Sequence, residues 1–84
     1  MWYNISMTNP TNAISVLTES VNHKRVDEFT VRGREYQMVP GGSSSFYAKG
    51  GVEHAQFSVW RRDVPGIRTV TVRETDRVEV LSRA

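Results

Sequence analysis

The sequence predicts an all-β fold: six or seven short antiparallel strands in meander order, forming either a small barrel or a single sheet that pairs with a partner. Three observations lead there. Apolar and polar residues alternate with a period of two along several stretches, turn formers punctuate those stretches, and no segment carries a long apolar stripe of helical spacing. A sheet of this size without helices has one face to cover. It must curl on itself or bury that face against another molecule.

From the amino terminus, Trp2 to Met7 alternates, with Tyr3, Ile5 and Met7 on one side, and Thr8-Asn9-Pro10-Thr11-Asn12 is a run of turn formers. Ala13 to Val21 carries two patterns. Ile14, Leu17 and Val21 have helical spacing behind a Thr11 or Asn12 cap, whereas Ile14, Val16 and Thr18 alternate and are β-branched. The weak helix propensity of so many β-branched and polar residues favours a strand.

Asp27 to Arg32 and Glu35 to Val39 form a hairpin about Gly33-Arg34. That register sets Arg32 opposite Glu35, Val31 opposite Tyr36 and Phe29 opposite Met38, with glycine first in a type II′ turn. Pro40-Gly-Gly-Ser-Ser-Ser-Phe-Tyr-Ala-Lys-Gly-Gly51 reads as a flexible loop, long for a compact domain and carrying two aromatics among glycine and serine. Ala55 to Arg61 is a strand with Phe57 and Val59 on one face. Pro65-Gly66 reads as a type II turn that folds the chain back, so that Phe57 and Val59 share a face with Val70 and Val72. A last hairpin joins Val70 to Arg73 with Arg77 to Leu81 through Glu74-Thr75-Asp76, because a three-residue connection sets Val72 opposite Val78 and Val70 opposite Val80.

Eighty-four residues make one small domain with a thin core, since a chain this short buries only about 60% of its unfolded surface. The absence of cysteine removes disulfides and thiolate metal sites and fits the cytoplasm or another reducing compartment. Apolar runs of two or three residues fall far short of a membrane span, and no signal segment opens the chain, so a soluble protein is expected. Net charge is +2, and the whole excess lies between Gly41 and Val72. Nine of the eleven cations are arginine, which suits bidentate contacts with carboxylate or phosphate.

No catalytic constellation is visible. His23 and His54 lie among polar and charged residues, and adjacent Glu53 and His54 would point to opposite faces of a strand. The carboxylates fall at turns or strand starts among arginines, where cross-strand pairing accounts for them. A phosphate-binding loop needs glycines leading into Lys-Ser/Thr at a helix start, whereas Lys49 precedes Gly50-Gly51 and a strand. We therefore expect no enzyme, no cofactor, no metal site and no small-molecule substrate.

The function expected is a small non-enzymatic protein-interaction or assembly module: a subunit of a larger particle, or an inhibitor or adaptor of a protein partner. Its contact residues would be Phe46, Tyr47, Lys49, Trp60, Arg61, Arg62 and Arg68, with Trp2 and Tyr3 as further exposed aromatics. Self-association is one form of it. The alternative is a small β-barrel that binds single-stranded nucleic acid, stacking bases on the same aromatics and tracking the backbone with the same arginines. Asn9-Pro10-Thr11-Asn12, followed by alternating strands and a charged hairpin, resembles the coat subunits of small RNA bacteriophages, which are antiparallel meanders. That resemblance implies an assembly role. The pair of carboxy-terminal helices of those subunits has no counterpart in Val80-Leu81-Ser82-Arg83-Ala84, and no membership is assigned.

Overall fold

Residues 12–84 are described by a computed structural model; the strand expected at Trp2 to Met7 lies outside them. One short helix, α1 (Ala13–Thr18), precedes six strands: β1 (Val26–Val31), β2 (Arg34–Met38), β3 (Ser44–Lys49), β4 (Val52–Arg61), β5 (Val64–Arg73) and β6 (Val78–Arg83). All six belong to one antiparallel sheet, so the all-β expectation holds. Among the described residues the sheet is not closed into a barrel.

Strand order departs from a meander in two places. Along β4, one edge pairs with β5, while the other pairs with β3 over Val52 to Phe57 and with β2 at Val59 and Trp60. β2 and β3 are thus two halves of one long strand, separated by a bulge. Ser58 holds both sides of it, its carbonyl accepting from the Val39 N–H at 3.1 Å and its N–H donating to the Ser43 carbonyl at 3.3 Å. Val39 to Gly42 forms a turn closed by the Gly42 N–H on the Val39 carbonyl, with Pro40 first and Gly41 second at φ +71°, the pattern of a type II turn.

The second departure is β6. It pairs with β1, Val31 opposite Val78 and Phe29 opposite Val80, and the expected ladder with β5 is absent. Apolar matching alone could not separate these outcomes, because Val31 and Phe29 offer Val78 and Val80 the same partners that Val72 and Val70 would. The loop chemistry decides. Asp76 turns the chain sharply, its carboxylate accepting from the Arg73 N–H at 2.8 Å while its own N–H donates to the Arg73 carbonyl at 2.9 Å.

Arg32 spans the seam this leaves. Its guanidinium binds the Asp76 carboxylate and donates to the Thr71 carbonyl of β5 at 3.2 Å, and its N–H donates to the Arg77 carbonyl. Those contacts also explain a shift in the first hairpin. Val31 faces Arg34 and Phe29 faces Tyr36, so the turn residues are Arg32-Gly33, both at positive φ as in a type I′ turn, not Gly33-Arg34. A two-residue slip keeps every side chain on its face, so Phe29 stacks on Tyr36 (ring centroids 5.8 Å apart) in place of meeting Met38.

The Ala13 to Val21 segment is a helix for its first six residues and not a strand. Asn12 caps it, its side-chain oxygen accepting from the N–H groups of Ile14 (2.9 Å) and Ser15 (3.1 Å). Ala13, Ile14 and Leu17 are buried and the helix packs against β5 and β6, covering the sheet where it fails to close. Tertiary burial outweighs the weak propensity of a helix this short. Beyond it, Asn22 and His23, both at positive φ, make a two-residue turn between Val21 and Lys24.

The core is one cluster in which Phe29, Val31, Val59 and Val72 are fully buried, with Ala55, Phe57 and Val70 beside them. Phe57 faces Val70 across the strands and Ala55 faces Val72, as the shared-face expectation requires. Pro65-Gly66 is not the turn, however. Arg62-Asp63 turns the chain, and Pro65-Gly66 is a bulge in β5, with Gly66 at φ +88°, between the pairs Arg61–Val64 and Trp60–Ile67.

Candidate functional site

The segment expected to be a flexible loop contains β3, which corrects that expectation. The Gly-Gly pair supplies the reason. Gly50 (φ +60°) and Gly51 (φ +78°) form a two-residue type I′ turn, which matches strand twist and sets Lys49 directly opposite Val52. Tyr47 then faces His54, and Phe46 faces Ala55. Every residue of β3 is exposed, whereas β4 beside it pairs with β5 and buries Ala55 and Phe57, so β3 lies as an exposed arm along the edge of the sheet.

Phe46 and Tyr47 point to opposite faces of this arm. Phe46, on the core-facing side, is 59% exposed and meets Phe57 edge to face with ring centroids 6.4 Å apart. Tyr47, on the outer side, stacks on the His54 imidazole at 4.9 Å and 12°. His54 Nδ1–H donates to the Val52 carbonyl at 3.0 Å, which fixes the ring against the tyrosine. Lys49 stands exposed at the tip. His54 is not among the expected contact residues, yet its register opposite Tyr47 follows from Gly50-Gly51 as a hairpin signal.

Trp60, Arg61 and Arg62 lie at the other end of β4. Trp60 lies six positions along β4 from His54, about 20 Å of extended strand, so six of the seven expected contact residues fall into two groups and Arg68 stands apart. Trp60 is on the outer face opposite Ile67, which is 61% exposed and extends the apolar patch. Arg61 is engaged by Asp63, its Nη2 and Nε donating at 2.8 and 3.2 Å. That guanidinium holds the Asp63 carboxyl below its ordinary value of 3.8. Arg62 is exposed and lines an open groove of about 260 Å³ with Trp60, Gln37 and the carboxylates of Glu28 and Glu35. Arg68 is exposed opposite Val59, on the face away from Trp60.

No group of three or more metal-ligating side chains occurs among the described residues. No helix among them is long and apolar enough to cross a membrane. Comparison with protein-family models, curated proteins and solved structures finds no match. The arrangement itself offers two kinds of contact. One is aromatic and apolar, at Phe46, Tyr47, Trp60 and Ile67; the other is main-chain hydrogen bonding along the edge of β3.

Proposed function

We propose that the chain is a non-enzymatic protein-interaction or assembly module that engages a protein through the β3 arm. The observation that carries this reading is that β3 is exposed at all six positions yet bears Phe46 and Tyr47. Exposed aromatics of this kind dominate binding energy at interfaces, and an unpaired strand edge supplies main-chain groups for strand addition. Trp60 and Ile67 form a second apolar contact area on the outer face.

The nucleic-acid alternative is less well supported. A backbone path needs cations free of competing carboxylates, but Arg61 is bound to Asp63, and Arg62 shares its groove with Glu28 and Glu35. Site-specific photo-cross-linking in an extract of the native host tests the choice. Benzoylphenylalanine in place of Tyr47 should capture a protein, whether a second copy or another chain, whereas the same group at Thr75 should not. Capture of nucleic acid, or equal capture at both positions, would overturn the reading.

A further inference from the structure

The backbone of β3 specifies which of its groups are free. In an antiparallel ladder, residues alternate between pairs that exchange both main-chain hydrogen bonds and pairs that exchange none. The Ser58 N–H donates to the Ser43 carbonyl, which fixes the phase of the alternation. Ser45, Tyr47 and Lys49 therefore turn their N–H and C=O groups toward Gln56, His54 and Val52 of β4. Ser44, Phe46 and Ala48 turn theirs outward, along an edge that no other strand pairs among the described residues.

Natural sheets protect such an edge with inward charges, proline, a bulge or a covering segment. From Ser44 to Ala48 the strand has no charge and no proline, and its ladder with β4 runs through six consecutive pairs without a shift. Both the Pro40–Gly41 turn and Lys49 lie just outside that stretch. An edge with no charge has nothing in it to repel its own copy.

We propose that β3 pairs with β3 of a second copy, antiparallel about a two-fold axis at Phe46, joining two sheets into one. This rests on the interaction reading above and names its partner. The phase of the free groups restricts the register to those that set outward residues opposite one another, and among these the axis at Phe46 uses the whole uncharged stretch. With the axis at Phe46, the outward groups of Phe46 meet those of its symmetry mate, and those of Ser44 meet Ala48 on both sides, giving about six main-chain hydrogen bonds. With the axis at Tyr47, only the two Phe46–Ala48 pairs would bond within that stretch, giving about four main-chain hydrogen bonds.

The same register brings together the two Phe46 rings, the most exposed aromatics among the described residues. Ser45 falls opposite the partner's Tyr47 on the outer face, so no bulky pair clashes. Each Lys49 falls opposite Ser43 of the other copy, so the two ammonium groups stay apart.

Ala48→Pro is the discriminating variant. It removes an outward N–H and leaves the ladder to β4 and both aromatics in place. Sedimentation equilibrium from micromolar to millimolar concentration should show a dimer for the wild type and a dissociation constant raised at least about tenfold for Ala48→Pro, with circular dichroism unchanged.

The chain has no cysteine, so single thiols report the register cleanly. Phe46→Cys should oxidise to a disulfide dimer, its Cα atoms lying about 5.5 Å apart. Ser45→Cys and Tyr47→Cys, about 8 Å from their symmetry mates, should not. A monomer at all concentrations, a dimer indifferent to Ala48→Pro, or preferential cross-linking at position 47 would each overturn the pairing. The wider interaction reading would survive those results if the Tyr47 photo-cross-linker captured a different protein.

Discussion

Glu74 and Glu53 hold each other across the sheet at both main chain and side chain. The Glu74 N–H donates to the Glu53 carbonyl at 2.9 Å, and the Glu53 N–H donates to a Glu74 carboxylate oxygen at 2.8 Å. The other carboxylate oxygen accepts from Asn12 at 3.3 Å, and the Glu74 carbonyl accepts from the Ala13 N–H at 3.1 Å. One side chain thus ties the start of the helix to the strand that carries the arm. Glu74→Ala should destabilise the fold by about 1 kcal/mol, because the part-buried Asn12 amide and the exposed Glu53 N–H both lose their acceptor. Urea unfolding followed by tryptophan fluorescence measures it, and the amide signals of Ala13 to Thr18 should show the first loss of structure.

Gly42 is a second point of close approach. A Cβ there would stand 2.9 Å from the Ser58 Cβ and 3.0 Å from the Val39 carbonyl oxygen. Gly42→Ala should therefore cost about 1–3 kcal/mol as an overpacking change. A mobile loop at this place would tolerate it. Thermal unfolding of Gly42→Ala beside Gly50→Asn separates the two cases, since Gly50 has open space around it and asparagine tolerates positive φ.

Asn22-His23 offers a gain. His23 sits at φ +64°, a region costing a non-glycine residue about 1–2 kcal/mol. His23→Gly creates the preferred Asn-Gly turn and should stabilise the protein by roughly 0.5–1 kcal/mol after the added freedom of the unfolded chain is subtracted. A rise in the urea midpoint at constant slope is the expected result.

The Asp63 carboxyl should titrate below 3.8 in the folded protein, held down by Arg61. A depressed folded value means that its contribution to stability is present above pH 3.8 and is lost as pH falls through the folded pKa. Asp63 is exposed, so screening keeps that contribution small. Carboxyl carbon shifts recorded against pH, with and without Arg61→Ala, check both points: the variant should titrate closer to 3.8.

The core was largely legible in the sequence because period-two alternation determines face, and a slip of two residues leaves face unchanged. Phe29, Val31, Phe57, Val59, Val70 and Val72 are buried as alternation places them, even where partners differ. Strand order was not legible. Val78 and Val80 fit Val31 and Phe29 as well as Val72 and Val70, and only the Asp76 turn and the Arg32 clasp select between them. The helix was missed because its support comes from burial of Ala13, Ile14 and Leu17 on distant strands. For the arm, composition pointed to Phe46 and Tyr47 but obscured that Gly50-Gly51 turns a hairpin and gives both aromatics fixed positions.

The pairing of β1 with β6 sets when this protein can finish folding. β4 and β5 are neighbours in sequence and can zip as soon as both exist, and the β3–β4 arm can do the same. Val26, by contrast, waits for Arg83. β1 therefore stays without its outer partner until the last strand in sequence joins the sheet. Pairing of β1 with β6 is thus the long-range step that completes the sheet, and it follows the local hairpins however early those form.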